Sequence, residues 1–295
     1  MSAQEETTVT TERASFSSVA LAIAALLWMA GLLWSARATI TSREDVTMEV
    51  TSSAYALPGV VSAALVAGAA VALAVVTAVD RRRALGATAR FAVATGAGLL
   101  IGVLGALSLF TINTEGWVYA VMAGTVAAAA TIGGALAGLR TPGVVSAVCW
   151  ASIAVFLVGV LLTFGQDVLF GIFGAGDSAA TRAGAASRYT LSQAVVSGLI
   201  AGLVVFFLLR RSPRPWPWYA VAGAGPGVLL IVGEILTRTA GARVLSLAGK
   251  VSVLETTVQR LLSQSRLNSA LIILFVGAIT AVIAIGRTLK PTDQS

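Results

Sequence analysis

The sequence predicts an all-α fold: a polytopic helical membrane bundle of about eight transmembrane helices with one external amphipathic helix. Three observations predict it. Of 295 residues, 57% are hydrophobic and only 11% are charged, where soluble domains hold about 25% charged residues. The mean hydropathy is +0.89. The apolar residues fall in long runs, each closed by a charged or turn-forming stretch. Each run is close to the roughly 20 residues that cross about 30 Å of hydrocarbon as a helix. One soluble core stops growing near this chain length and could not hide so much apolar surface. A bilayer can.

Residues 1–15 are polar and form a tail, expected on the cytoplasmic side. The first run is Phe16–Leu33. Ser35-Ala36-Arg37-Ala38 has the small residues of a leader cleavage site, but the leader would be net acidic where a positive one is needed, so an uncleaved first helix is expected. Thr39–Ser53 is polar and is expected to be a loop. The second run, Leu57–Val79, opens at Pro58, which suits the first turn of a helix. It closes at Asp80-Arg81-Arg82-Arg83. The third run is Phe91–Ile112, the fourth Trp117–Leu139, and the fifth opens at Pro142 and reaches Phe164. The sixth is Leu191–Leu209, followed by Arg210 and Arg211. The seventh is Trp216–Leu236 and the eighth Leu267–Ile285. This organisation is a bundle of about seven spans over 16–236, an external helix over 237–266, a last span over 267–287 and a cytoplasmic tail over 288–295.

Arginine placement sets the expected orientation. Arg81–Arg83 with Arg90, and Arg210, Arg211 and Arg214, fall on one side of an eight-span layout. The positive-inside rule makes that side cytoplasmic, with both termini on it. The cell (plasma) membrane is the expected location, and the Ala-, Val- and Gly-rich style is that of a GC-rich bacterial genome. The net charge of +7 needs no nucleic acid to explain it, because basic residues retained at span ends account for it. The expected partners are the lipid bilayer and either a second copy of the chain or other membrane subunits.

The chain has no His and one Cys. It therefore lacks the commonest general base and metal ligand. No nucleotide-binding, zinc-hydrolase or serine-hydrolase motif is present. No catalytic residue, metal or cofactor is expected, and Cys149, alone in an apolar run, is expected to pack as a small core residue.

Five features remain as functional candidates. Gly98/Gly102, Gly134/Gly138, Gly198/Gly202 and Gly223/Gly227 are each four apart, a spacing that lets helix backbones approach, within the bundle or between copies. Gly225-Pro226-Gly227 lies about ten residues into the seventh run, about 15 Å deep. There it marks either an ordinary proline kink or a broken helix whose freed backbone groups bind a substrate. Glu234 is an intramembrane carboxylate, a functional candidate by default. It lies near the far boundary, and Arg238 is one turn on and able to pair with it. Val144–Phe173 is too long for one span, so the chain is expected to break near Gly165. That leaves Gln166 and Asp167 at a surface, as an interfacial turn or an outer vestibule. Finally, Val244, Leu247, Val251, Leu254, Val258 and Leu261 follow a 3-4 spacing. They are expected to form one stripe that lipid, the bundle or a partner covers. Pro58-Gly-Val-Val-Ser-Ala also recurs at Pro142, either as an inverted repeat or as two similar helix starts.

Two functions are expected to compete, ahead of a third, a membrane enzyme on a lipid substrate using Asp167 or Glu234, against which the lack of His and of clustered carboxylates counts. One is a membrane transport or translocation component, with Gly225, Pro226, Gly227, Gln166, Asp167 and Glu234 as its substrate contacts. The other is a non-catalytic scaffold or accessory subunit of a cell-envelope membrane complex, docked through the 3-4 stripe. The topology is checked by accessibility labelling of single cysteines at Ser2 and Ser295 in a Cys149→Ala background. Both sites should resist an impermeant reagent in intact cells and react after lysis.

Overall fold

The structure is a computed structural model. It describes residues 3–41, 46–111, 117–139, 141–174, 176, 178–210, 215–242, 244, 246 and 253–288. Every element among them is helical: α1 (Ala3–Thr41), α2 (Val46–Asp80), α3 (Ala87–Phe110), α4 (Trp117–Ala137), α5 (Pro142–Phe164), the short α6 (Gln166–Ile172), α7 (Ala179–Leu209), α8 (Pro217–Thr239) and α9 (Val253–Gly286). All but α6 are long and apolar enough to cross a membrane. The protein is therefore an integral, multi-pass membrane protein. In lipid, a helix is the structure that satisfies every backbone donor and acceptor within its own segment.

The chain divides into two compact units. One holds residues 1–149 and 232–263, the other 150–231 and 264–295. In the first unit α2 is central. Its most apolar window is 72% buried, against 33–50% in α1, α3 and α4. From Val60 to Ala72 nearly every residue is Ala, Val, Leu or Gly, and the small ones let neighbouring helices approach closely.

Packing in this unit runs through glycine. A Cβ on Gly133 of α4 would land on the Leu65 carbonyl oxygen of α2, and one on Gly68 on the Ala130 carbonyl oxygen. The next residue of α4, Gly134, faces Gly98 of α3; a Cβ on either would lie 2.8 Å from the other's Cα. Consecutive residues of a helix point about 100° apart. The Gly133-Gly134 pair thus lets α4 touch two neighbours backbone to backbone. A Cβ on Gly102 would lie 2.8 Å from the Ala127 backbone, and one on Gly138 3.0 Å from Phe91.

In the second unit the same device centres on Gly277 of α9. Gly223 of α8 faces Gly277 so closely that a Cβ on either would strike the other's carbonyl oxygen. Gly202 of α7 would place one 2.7 Å from the Gly277 carbonyl, Gly198 one 2.8 Å from Val276, and Gly227 one 2.5 Å from Leu274. All four glycine pairs of the sequence are therefore used inside this chain. The short α6 lies on α7, where Phe170 meets Tyr189 edge to face, with ring centroids 5.3 Å apart.

Several expected boundaries move. Gly165 does end α5, and α6 starts at the next residue. The expected loop 39–53 is instead partly helical, because α2 begins at Val46. Pro58 consequently lies inside α2, while Pro142 opens α5. The two matched hexapeptides do not occupy matched positions, which removes the basis for a repeat. The sixth span starts earlier than Leu191, at an N-cap where the Ser178 hydroxyl accepts from the Thr181 amide at 3.1 Å. The expected start of the last span at 267 falls inside α9, which runs unbroken from Val253.

Gly133→Ala should lower the thermal stability of the detergent-solubilised protein, because overpacking costs about 1–3 kcal/mol. Gly124→Ala, whose new carbon would meet no neighbouring helix or side chain beyond its adjacent residues, should leave it unchanged or raise it. Circular dichroism melts of the two variants make the comparison.

Candidate functional site

Glu234 occupies the penultimate turn of α8. Its side chain is 4% exposed, and its Oε1 accepts from Arg238 Nε at 3.0 Å. The i, i+4 spacing puts both groups on one face. The Ser263 hydroxyl of α9 donates to the same Oε1. Arg238 Nη2 completes the ring by donating to the Ser263 carbonyl at 3.0 Å. One carboxylate and one guanidinium thus tie α8 to α9, each bond assisted by a charge. The neighbourhood is tight: a Cβ on Gly233 would come within 2.9 Å of Ser62 Oγ of α2, and Thr237, fully buried, returns its hydroxyl to the Gly233 carbonyl.

The other candidates are placed differently. Gly225, Pro226 and Gly227 are buried, and α8 continues through them without a break. A Cβ on Gly227 would meet the Leu274 backbone, so α9 packs closely against α8 at this point. Gln166 opens α6 and is half-buried, and Asp167 in its first turn is exposed. Phe164, Val168 and Ile172 around them are 69–87% exposed, the character of a segment lying in an apolar interface. Glu234 lies eight residues beyond Pro226 on α8, about 12 Å along the axis.

The expected 3-4 stripe is only partly visible. Leu247, Val251 and the side chain of Leu254 lie outside the described residues. Val244 is buried, Val258 is half-buried and Leu261 is 62% exposed. In the first turns of α9 Gln259 is buried while Ser263, like Val258, is half-buried, and buried positions continue along the helix as Ala270, Ile273, Gly277 and Ala281. Ser263 is held inward by Glu234. A buried carboxylate needs donors, and Ser263 supplies one only when its face turns inward.

Sequence reasoning reached Glu234 and Arg238 and missed Ser263. Nothing in the local pattern marks a serine 29 positions away as the third member. A second ion pair joins Asp80 to Arg90 at 3.4 Å, with the Leu85 amide donating to the other Asp80 oxygen at 3.2 Å. Among the described residues no three His, Cys, Asp or Glu side chains come together as a metal site. Comparison with protein-family models, with curated proteins and with solved structures finds no match.

Glu234→Gln keeps an acceptor for Arg238 and Ser263 and should cost little stability, about 0–1 kcal/mol. Arg238→Ala leaves a buried carboxylate without its cation. It should cost about 1–3 kcal/mol, less than a fully buried pair would, because Arg238 is 43% exposed. Adding Glu234→Gln to Arg238→Ala should recover most of that loss. Unfolding midpoints of the three variants in one detergent test the coupling.

Proposed function

We propose that this protein is a non-catalytic scaffold within a cell-envelope membrane complex, residing in a bacterial cell membrane with both termini cytoplasmic. One observation carries the reading. The groups a transporter would present at the midplane of α8 are engaged in internal packing, with Gly223 against Gly277 and Gly227 against Leu274. The buried carboxylate has the same character, since Arg238 and Ser263 of this chain donate to it. A bundle whose backbones touch at glycine is stiff, because close-packed interfaces have discrete arrangements rather than continuous play. Stiffness suits a part that holds others in place.

The chain segment 237–266 is the partner-facing element in this reading, and the transport role is the alternative outcome. The test is purification from native membranes in mild detergent, with cross-linking and mass determination. A stoichiometric complex is expected, and Leu247→Asp with Leu254→Asp should disperse it while leaving the chain inserted and helical. A monomeric protein that moves a solute across reconstituted vesicles would replace the scaffold with a transporter.

A further inference from the structure

One face of α7 carries hydrogen-bonding side chains that no described residue uses. Tyr189, Gln193 and Ser197 follow each other at intervals of four residues, so they stand one above the next on the same side of the helix. Tyr189 is 8% exposed, Ser197 is buried and Gln193 is half-buried. The Tyr189 hydroxyl itself is buried and has no hydrogen-bond partner. Among the described residues, neither the Gln193 amide nor the Ser197 hydroxyl has one either. The polar residues of α7 beside this face behave differently. Thr190 donates to the Ala186 carbonyl at 2.9 Å and Ser192 to the Tyr189 carbonyl at 2.8 Å. Off the face, the helix satisfies its own hydroxyls; on the face, it does not.

Depth and surroundings say what those groups face. Tyr189 stands 21 residues before Arg210, which caps the far end of α7, about 32 Å along the helix. Ser197 stands 13 residues before it, about 20 Å along. With about 30 Å of hydrocarbon, the face begins at one membrane boundary and descends roughly a third of the way in. Unmet polar groups are costly there, because no bulk water serves them. No charged residue lies on α7 between Arg188 and Arg210, and none on α5. A charged ligand would find no counter-ion at this depth, so the ligand is neutral. It is also slender. Gly159 of α5 stands so near that a Cβ on it would lie 3.4 Å from Gln193 Nε2, which leaves no width for a helix of another chain. Phe170 of α6 closes the upper end, edge to face on Tyr189. From Gln193 an apolar track continues along α7 through Val196, Leu203 and Phe207, 39–53% exposed.

We propose that Tyr189, Gln193 and Ser197 bind the carbonyl group of a neutral, lipid-soluble molecule whose tail lies along Val196, Leu203 and Phe207. All three polar side chains have hydrogens to donate, and one carbonyl oxygen takes two such bonds through its two lone pairs. Two kinds of membrane molecule offer that chemistry: the acyl esters of a glycerolipid and the ring carbonyls of a quinone. The site is independent of the scaffold reading, whose partner-facing element is segment 237–266.

The test uses the full chain in dodecyl maltoside, a detergent without carbonyl groups, and reads the unfolding midpoint by circular dichroism. The additives compared are a ubiquinone with a decyl tail, a diester phosphatidylcholine, and its diether analogue, which differs only in lacking the carbonyls. The quinone, the diester lipid or both should raise the midpoint by about 3 °C or more over the diether lipid, and which of them does so identifies the source. Tyr189→Phe/Gln193→Met should lose about half of that shift or more. Its ligand-free midpoint should not fall, because the groups removed have no partner among the described residues. Equal midpoints with all the additives would overturn the proposal, and so would a double variant that keeps the whole shift. Should the double variant not insert, Tyr189→Phe alone, which removes a single oxygen atom, is read against the same two outcomes.

Discussion

The structure depends on one constraint: apolar helices in lipid gain nothing from burying apolar surface against each other. The tails of the bilayer are as apolar as the partner helix, so association falls to packing and close backbone contact. Close contact requires the absence of a Cβ at the point of crossing. That single requirement explains Gly68 on Gly133's helix, Gly98 against Gly134, and Gly277 against Gly223. It also explains why the central α2 is built from Ala, Val and Leu with almost no polar interruption. In each unit one helix carries the glycine that touches two neighbours, α4 in the first and α9 in the second.

The same solvent governs the few charges. An acid inside or at the end of a span is costly unless a cation is fixed beside it. Asp80 is answered by Arg90 and Glu234 by Arg238, both arginines from the same chain. The two pairs differ in consequence. Asp80 is part-exposed and shapes a turn, whereas Glu234 is buried and holds a serine of another helix. Because α9 presents Ser263 to Glu234, the start of this helix carries a polar contact beside the buried Gln259 while Leu261 stays exposed. An unpaired buried carboxylate costs several kcal/mol, whereas an exposed leucine at one position costs about 1.

This contrast also explains how much was legible beforehand. Spans were readable because the hydrocarbon imposes length and composition directly on the sequence, and the fifth span has the bounds that Pro142 and Gly165 announce. Four-apart glycines were readable as contact points, though their partners were not, since Gly277 and Gly133 lie outside the pairs. Helix ends beyond the membrane were the weakest part. Polar residues at 46–56 and 253–266 carry no hydropathy signal, so helix and loop look alike there, and both segments are helical. Ser263 was out of reach for the same reason. It acts through a contact made by the fold, and its neighbours Gln264 and Ser265 look equally polar in sequence.

Depth completes the argument about Glu234. It stands 17 residues beyond Pro217, about 26 Å along α8, close to where about 30 Å of hydrocarbon ends. Arg238, one turn further on, is 43% exposed, as expected of a guanidinium that reaches water past its own stem. The carboxylate is therefore buried by protein and not by the middle of the bilayer. At that level a charged ring can be kept, because its cation is part-exposed while its acid accepts from Arg238 and Ser263. Around Pro226, nearer the middle of α8, no such arrangement is available, and Ala222 to Leu230 hold no charged side chain. The distribution of chemistry along α8 is thus the one the bilayer permits: packing at its centre, a polar tie at its edge.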